Sequence, residues 1–530
     1  GENNTSVGFN SLDSNTTGVE NVVVGASALG VNTTGGYNVA LGNNALTTNT
    51  TASHNTAVGR NALTLNTTAA NNTGIGSNAL AANTTGAGNV AVGRSVLQAN
   101  TTGADNVAVG AYSLDANTTA ANGTAVGRNA LSANTTGGSN TGLGSHALVG
   151  NTTGQENVAI GVNALSANTT AAGNTAVGKA SLAANTTGYA NVATGFEALL
   201  TNTTGYENTA DGYRALKLNT TGYENCAIGR GALFNNTTGY RNIALGHSSL
   251  LTHTTGTENT AIGFQSGYSL TTGDYNTAVG GGALYSNTTA DGNTAVGKNA
   301  LRLNTTGSAH TVVGYLAADA VTTASGITAI GNNALGAVTT GSYNTAVGEA
   351  AGTYSVATTT GVKNIFLGNY SHASGVSSTG QLVFGYAVVG SGDNTITVGN
   401  SSSDSTLSFG SDSWSAPSDI RYKKNIQNAT AGLSFVNDLR PVTYEWKNKG
   451  DLPEGHTARI EGSTTPYNNS NINHGFIAQE VKTAIDNHPE IKDGFKMWSQ
   501  DEADDRQRVA TGAIVPMLVK AIQELSAKVE

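Results

Sequence analysis

The run Ser418-Asp419-Ile420-Arg421-Tyr422-Lys423-Lys424-Asn425-Ile426 places a hydroxyl, a carboxylate and three cations within nine positions. A free hydroxyl is a weak nucleophile, so an adjacent base must take its proton. Lysine stays protonated up to a pH of about 10.4, and Lys423 can serve as a base near neutrality only where burial or a nearby cation lowers its pKa. Arg421 and Lys424 are the neighbouring cations, and assembly of several chains could provide the burial. The plainer reading of a Ser-Asp pair opening a domain is a turn or a helix cap.

Tyr189, Tyr206, Tyr223 and Tyr240 recur at one spacing, flanked by Glu207, Glu224 and Arg241, while Phe196, Tyr213 and Phe264 mark a second position. Lined up on stacked coils, the tyrosines would form an amphipathic strip for sugar rings, or they would stack on one another and stiffen the structure. Asp211 stands where neighbouring segments carry an apolar residue, and a carboxylate in a core column is costly unless paired or protonated. It marks either an internal ion or a local opening to solvent. Cys226, the single cysteine, excludes an intrachain disulfide and a multi-cysteine metal site. It reads as a small apolar filler. The nine histidines show no metal spacing, so neither a metal nor another cofactor is expected.

What must hold these residues is an unusual chain. Of 530 residues only 11% are charged and 69 are glycine, against roughly 25% charged and 7% glycine in ordinary globular proteins. A net charge of -9 disfavours nucleic acid as a partner. No apolar run of about 18 residues exists, so no membrane insertion is expected. The first residues, Gly1-Glu2-Asn3-Asn4, show neither a signal peptide nor an initiator methionine, and an upstream portion is expected to be missing. All six prolines, all three tryptophans and both methionines lie at or beyond position 414, and 30 of the 59 charged residues fall in 418–530. The composition therefore breaks near 417.

Before the break the chain repeats every 17 residues. Glycine recurs without a miss at 21 positions from Gly8 to Gly348, leucine follows four residues later at 18 of them, and asparagine seven residues later at 16. Seventeen residues are too few for a helical-pair repeat. The consensus Asn-Thr-Ala-Val-Gly-x-x-Ala-Leu-x-x-Asn-Thr-Thr-Gly-x-x reads instead as one coil of a parallel β-solenoid: a short strand, a glycine turn, a second short strand and a polar turn. The Val, Ile or Leu that precedes the marker glycine almost throughout is expected to face the interior. Asn-Thr-Thr, formally a glycosylation sequon, is better read as an asparagine ladder. One coil buries little alone, and so thin a core suggests that several chains share apolar faces, three being expected. The expected layout is mostly β: a shaft over 1–348, a β-rich neck over 349–417, and a small α+β domain over 418–530. The last of these ends in a helix whose Val515, Leu518, Ile522, Leu525 and Val529 have coiled-coil spacing.

The Val-Gly strand with its small-residue turn resembles the head repeats of trimeric autotransporter adhesins and the shafts of phage tail fibres. Beyond the break, the Ser418–Ile426 run is followed by Leu439-Arg440-Pro441-Val442-Thr443-Tyr444-Glu445-Trp446, then Gly475-Phe476-Ile477-Ala478-Gln479-Glu480-Val481, then Ala521-Ile522-Gln523-Glu524-Leu525. In this order they resemble the C-terminal intramolecular chaperone of phage tail fibres and tailspikes, the S74 peptidase family. That resemblance implies a self-cleaving dyad with Ser418 as nucleophile and Lys423 as base, cutting the Pro417-Ser418 bond once in cis.

The expected function is thus a homotrimeric viral tail fibre, made in the host cytoplasm and carried on the virion. Its partners would be other tail proteins and a host receptor, with a glycan on the tyrosine strip as one candidate ligand. A bacterial surface adhesin and a passive, ice-binding-like rod are the alternatives from other classes.

Overall fold

A strand needs β-branched residues, and each repeat supplies one Thr/Val-Ala-Val/Ile triplet before its glycine. The computed structural model describes residues 1–401, 403–409, 420, 423–454, 458–491, 495, 497–500 and 507–529. The chain divides into two compact units, Gly1–Pro417 and Ser418–Glu530.

The first unit is a parallel β-solenoid. Strands β1 (Thr5–Val7) to β21 (Thr345–Val347) each contribute three residues per coil. Like residues pair with like, as in Thr277↔Thr294, Ala278↔Ala295 and Val279↔Val296. The marker glycines adopt φ between 122° and 146°, a region that side-chain-bearing residues avoid. A Cβ on Gly161 would stand 2.6 Å from the carbonyl of Gly178 in the next coil. That close approach explains why the glycine never varies.

Two expectations are corrected. The second strand is absent: after the glycine the chain passes through turns, with residues such as Asn61 and Leu63 in the left-handed region at φ 56° and 53°. The orientation of the triplet is also reversed, since Ala57 and its column are fully buried while the residues before the marker glycine lie on the outer side, half-buried or exposed. The interior is filled by Ala from the strand and Leu from the opposite corner, both at 0% exposure in coil after coil. A cross-section this narrow has no room for two β-branched side chains.

Two of the three exceptions to the leucine column, Gly352 and Ala318, are compensated by a larger residue in the strand. Gly352 replaces leucine where Phe366 replaces the strand alanine, and a Cβ on Gly352 would come within 3.0 Å of the Phe366 ring. Ala318 likewise accompanies Val312. The asparagine ladder is present twice. Asn32 Nδ2 donates to Asn15 Oδ1 at 2.9 Å and to the Gly35 carbonyl at 2.9 Å. Asn38 donates both its backbone and side-chain N–H to Asn21 Oδ1 at 3.0 and 3.1 Å. These side chains are buried, so their polar groups must be paired internally.

Past 348 the stack continues. Strands β22 (Ile365–Leu367), β23 (Leu382–Tyr386) and β24 (Thr395–Asn400) remain parallel and in register, through Thr345↔Ile365, Ile365↔Leu382 and Leu382↔Ile396. A longer corner between Gly352 and Thr358 absorbs three extra residues, and a shorter last coil drops three. Strand β25 (Ser403–Ser408) folds back antiparallel on β24, so no further coil can add in parallel there.

The second unit is a small α+β domain. Helix α1 (Leu433–Asp438), strands β26 (Val442–Tyr444) and β27 (Asn473–Gly475), helix α2 (Ala478–Asp486), strands β28 (Trp498–Gln500) and β29 (Gln507–Val509) and helix α3 (Val515–Val529) follow in order. Ala431, Phe435, Leu439, Val481, Ile485, Met497 and Ile514 form its core.

Candidate functional site

Pro417, at the end of the first unit, and Ser418, at the start of the second, lie outside the described residues, as do Arg421 and Tyr422. Lys423 is described and exposed, and its backbone N–H donates to the Ile420 carbonyl at 3.2 Å. Only one member of the Ser418–Lys423 pair therefore has a described position.

The other blocks quoted from the sequence meet one another. Arg440 Nε donates to Glu480 Oε2 at 3.0 Å, and the guanidinium holds the Glu480 carboxyl below its ordinary pKa. Strand β26 pairs antiparallel with β27 through Val442↔Gly475. Helix α1 has Gly432 at its N-cap and no side-chain cap of its own. The Leu433 N–H donates instead to Glu524 Oε2 of α3 at 2.8 Å, and that bond lowers the Glu524 pKa. His488 sits between Asp438 at 2.9 Å and Glu490 at 3.0 Å. Its pKa is raised, chiefly by the hydrogen bond with Asp438. These contacts build a scaffold. On α3, Ala521 is buried against it while Val515, Leu518, Ile522, Leu525 and Val529 are exposed, Ile522 at 67%.

In the first unit, Tyr189, Tyr206, Tyr223 and Tyr240 form one continuous stack, with ring centroids 5.0, 4.9 and 4.8 Å apart and interplanar angles of 7°, 9° and 2°. Their faces cover one another, which leaves edges and hydroxyls outward. Beside them, Arg241 Nε pairs with Glu224 at 2.8 Å and its Nη1 lies 3.7 Å from Glu258. Asp211 is exposed at the end of its strand, on the outer side rather than in the core column expected for it. Cys226 is half-buried, and burial raises its thiol pKa.

The second position noted in the sequence, directly after the marker glycine, also forms a column of rings. Phe196 stacks on Tyr213 at 5.4 Å, and His247 on Phe264 at 5.5 Å. Arg230 interrupts the run between them, its guanidinium 5.7 Å from the Tyr213 ring. Beneath Arg230 a cavity of about 250 Å³ opens, lined by Tyr213, Arg230, Gly231, Phe234, His247 and Leu251 among others. The signal in the sequence was Gly231, in a column where asparagine is the commonest residue and where glycine occurs once more, at Gly282.

Residues 418–488 match the family described as chaperone of endosialidase, peptidase S74. No curated protein and no solved structure was found to match the chain.

Proposed function

We propose, from the match of residues 418–488 to the chaperone of endosialidase family, that the chain is a trimeric viral tail fibre. In this reading the solenoid is the host-contacting shaft, joined to other tail proteins on the virion. The C-terminal domain brings three chains into register and then severs itself at Pro417-Ser418. Ser418 Oγ attacks the Pro417 carbonyl, Lys423 takes the hydroxyl proton and passes it to the departing Ser418 amine, and water then hydrolyses the resulting ester, leaving a carboxylate on Pro417 and restoring the Ser418 hydroxyl. The lysine must be neutral to do this, so burial of Lys423 on assembly, beside Arg421 and Lys424, would couple cleavage to correct folding.

The observation that carries the reading is the row Val515, Leu518, Ile522, Leu525 and Val529. It lies exposed on α3 at coiled-coil spacing, beyond the segment 418–488 that matches a family named for chaperoning. An apolar seam left outside the domain core is suited to like seams on other copies. The outward Val/Ile column of the shaft offers a second, longer surface of the same kind.

Mass determination of the assembled, denatured protein tests it. The wild type should yield fragments that separate at Pro417-Ser418, whereas Ser418→Ala should yield an intact chain in a particle of the same stoichiometry. Equal denatured masses for the two would refute self-cleavage, and a monomeric native mass would refute the fibre.

A further inference from the structure

The cavity under Arg230 is made by an interruption of the repeat. In the column two residues after the marker glycine, Asn44, Asn61 and Asn78 stand at φ 57°, 56° and 62°. Gly231 holds the same backbone geometry at φ 64° without a side chain. A Cβ there would meet only Leu251 Cδ1 at 3.4 Å and Ser248 Oγ at 3.8 Å. The stack does not require glycine at this point, and what its absence of a side chain produces is an open floor.

Around that floor the chemistry is selective. Phe234 and Leu251 supply apolar wall, Tyr213 and His247 supply rings on either side, and Arg230 and Arg214 supply charge, Arg214 being already paired with Glu197. Comparison with Arg241 is instructive. One coil before and after Arg241 stand Glu224 and Glu258, and both carboxylates approach it. One coil before and after Arg230 stand Tyr213 and His247, so the same stacking geometry leaves its guanidinium without a carboxylate among the described residues. The adjacent coil shows how such a group would be held, because Glu197 receives Arg214 and Lys217 at 2.9 Å each. A cationic, aromatic recess in a chain of net charge -9 is set against the background charge of the molecule.

We propose that this recess binds an acidic saccharide: the sugar ring lies over Gly231 against Phe234 and Leu251, and its carboxylate pairs with Arg230. Apolar sugar faces pack on aromatic rings, and a guanidinium presents a planar fork to a carboxylate. The tyrosine stack is a poorer platform, since its faces are already occupied by one another. The inference rests on the shaft being a capture surface.

Calorimetry on the full chain with galacturonate and glucuronate trimers, against the neutral galactose trimer, tests it. The acidic trimers should bind about tenfold or more tightly than the neutral one, the worth of one charge-assisted hydrogen bond. Arg230→Ala should erase that preference. Gly231→Asn, which restores the residue found elsewhere in the column, should close the recess and abolish binding with unchanged thermal stability. Equal binding of acidic and neutral trimers, no binding of either acidic trimer, or undiminished binding by Gly231→Asn would overturn the proposal. Native mass and cleavage measured on the same sample without saccharide report on fibre assembly separately.

Discussion

Two imidazoles interrupt the asparagine ladders, and each disturbs a network that cannot reach water. His253 Nε2 lies 2.8 Å from the Gly256 carbonyl, standing in for one amide bond. Its Nδ1 and the Oδ1 of Asn236 in the preceding coil are both buried without partners. His310 Nδ1 accepts the Ile327 N–H at 3.1 Å, and its Nε2 is buried and unpaired. Burial lowers both pKa values, that of His310 to about 4. The folded shaft therefore holds these rings neutral, while the unfolded chain protonates them below about pH 6.5. Their contribution to stability is fully present above that value and is lost as pH falls from about 6.5 toward 4. At pH 5 the loss through His310 should approach roughly 2 kcal/mol. Thermal melts of wild type and His310→Asn at pH 7.5 and pH 5 check it, and the variant should lose less stability on acidification. An identical drop for both would show that His310 is not the acid-sensitive group. His253→Asn should also give Asn236 its missing donor, with a gain of about 1 kcal/mol at either pH.

At the scale of the coil, the marker glycine and the left-handed corners carry different sensitivities. Gly161→Ala forces a Cβ to within 2.6 Å of the Gly178 carbonyl at φ 135°. It should cost about 1–3 kcal/mol in backbone strain alone and open that coil to proteolysis. Gly173→Asn is the contrast: φ is 69°, Asn71 and Asn122 hold the same corner, and no atom but the Ala190 N, at 4.0 Å, stands near. It should leave the melting temperature unchanged. Limited proteolysis of the two side by side separates these outcomes. The period, the parallel register, the ladders and the break near 417 could all be read from spacing, because stacking forces each position to meet its own copy in the next coil. Which face of the triplet lies inside could not. Hydrophobicity favours Val over Ala for the core, yet Thr and Val at alternate positions share a face, and the fourteen remaining residues of each 17-residue coil cross so narrow a section that Ala is the usual fit opposite Leu. The threonine on that face was the available clue. Arg230 and Gly231 were missed for the opposite reason, since a site made by one missing side chain has no motif of its own.

For the assembly proposed above, the outward column of the shaft is the longest apolar surface available among the described residues. Val24, Ile75, Leu143, Ile228, Ile262, Ile330 and Leu367 are all exposed on single chains, at about 37–44%. Burying roughly 40 Å² of apolar surface per coil contributes about 1 kcal/mol. Summed along some twenty coils, this exceeds an association cost of about 4–15 kcal/mol, whereas the five-residue seam of α3 alone would not do so comfortably. The seam is then suited to start assembly and the column to maintain it. Asp211 shows that a coil accepts a carboxylate in this column while remaining in register with Thr194 and Ile228. Ile160→Asp, Ile228→Asp and Ile262→Asp combined should therefore preserve the β-rich circular dichroism of the shaft while lowering the native mass toward that of one chain after the C-terminal domain has been released. Ile522→Asp with Leu525→Asp should instead slow or prevent assembly from denatured chains, and should leave particles that have already assembled and been cleaved intact. If the shaft variant kept the wild-type native mass, the outward column would not be the surface on which copies meet.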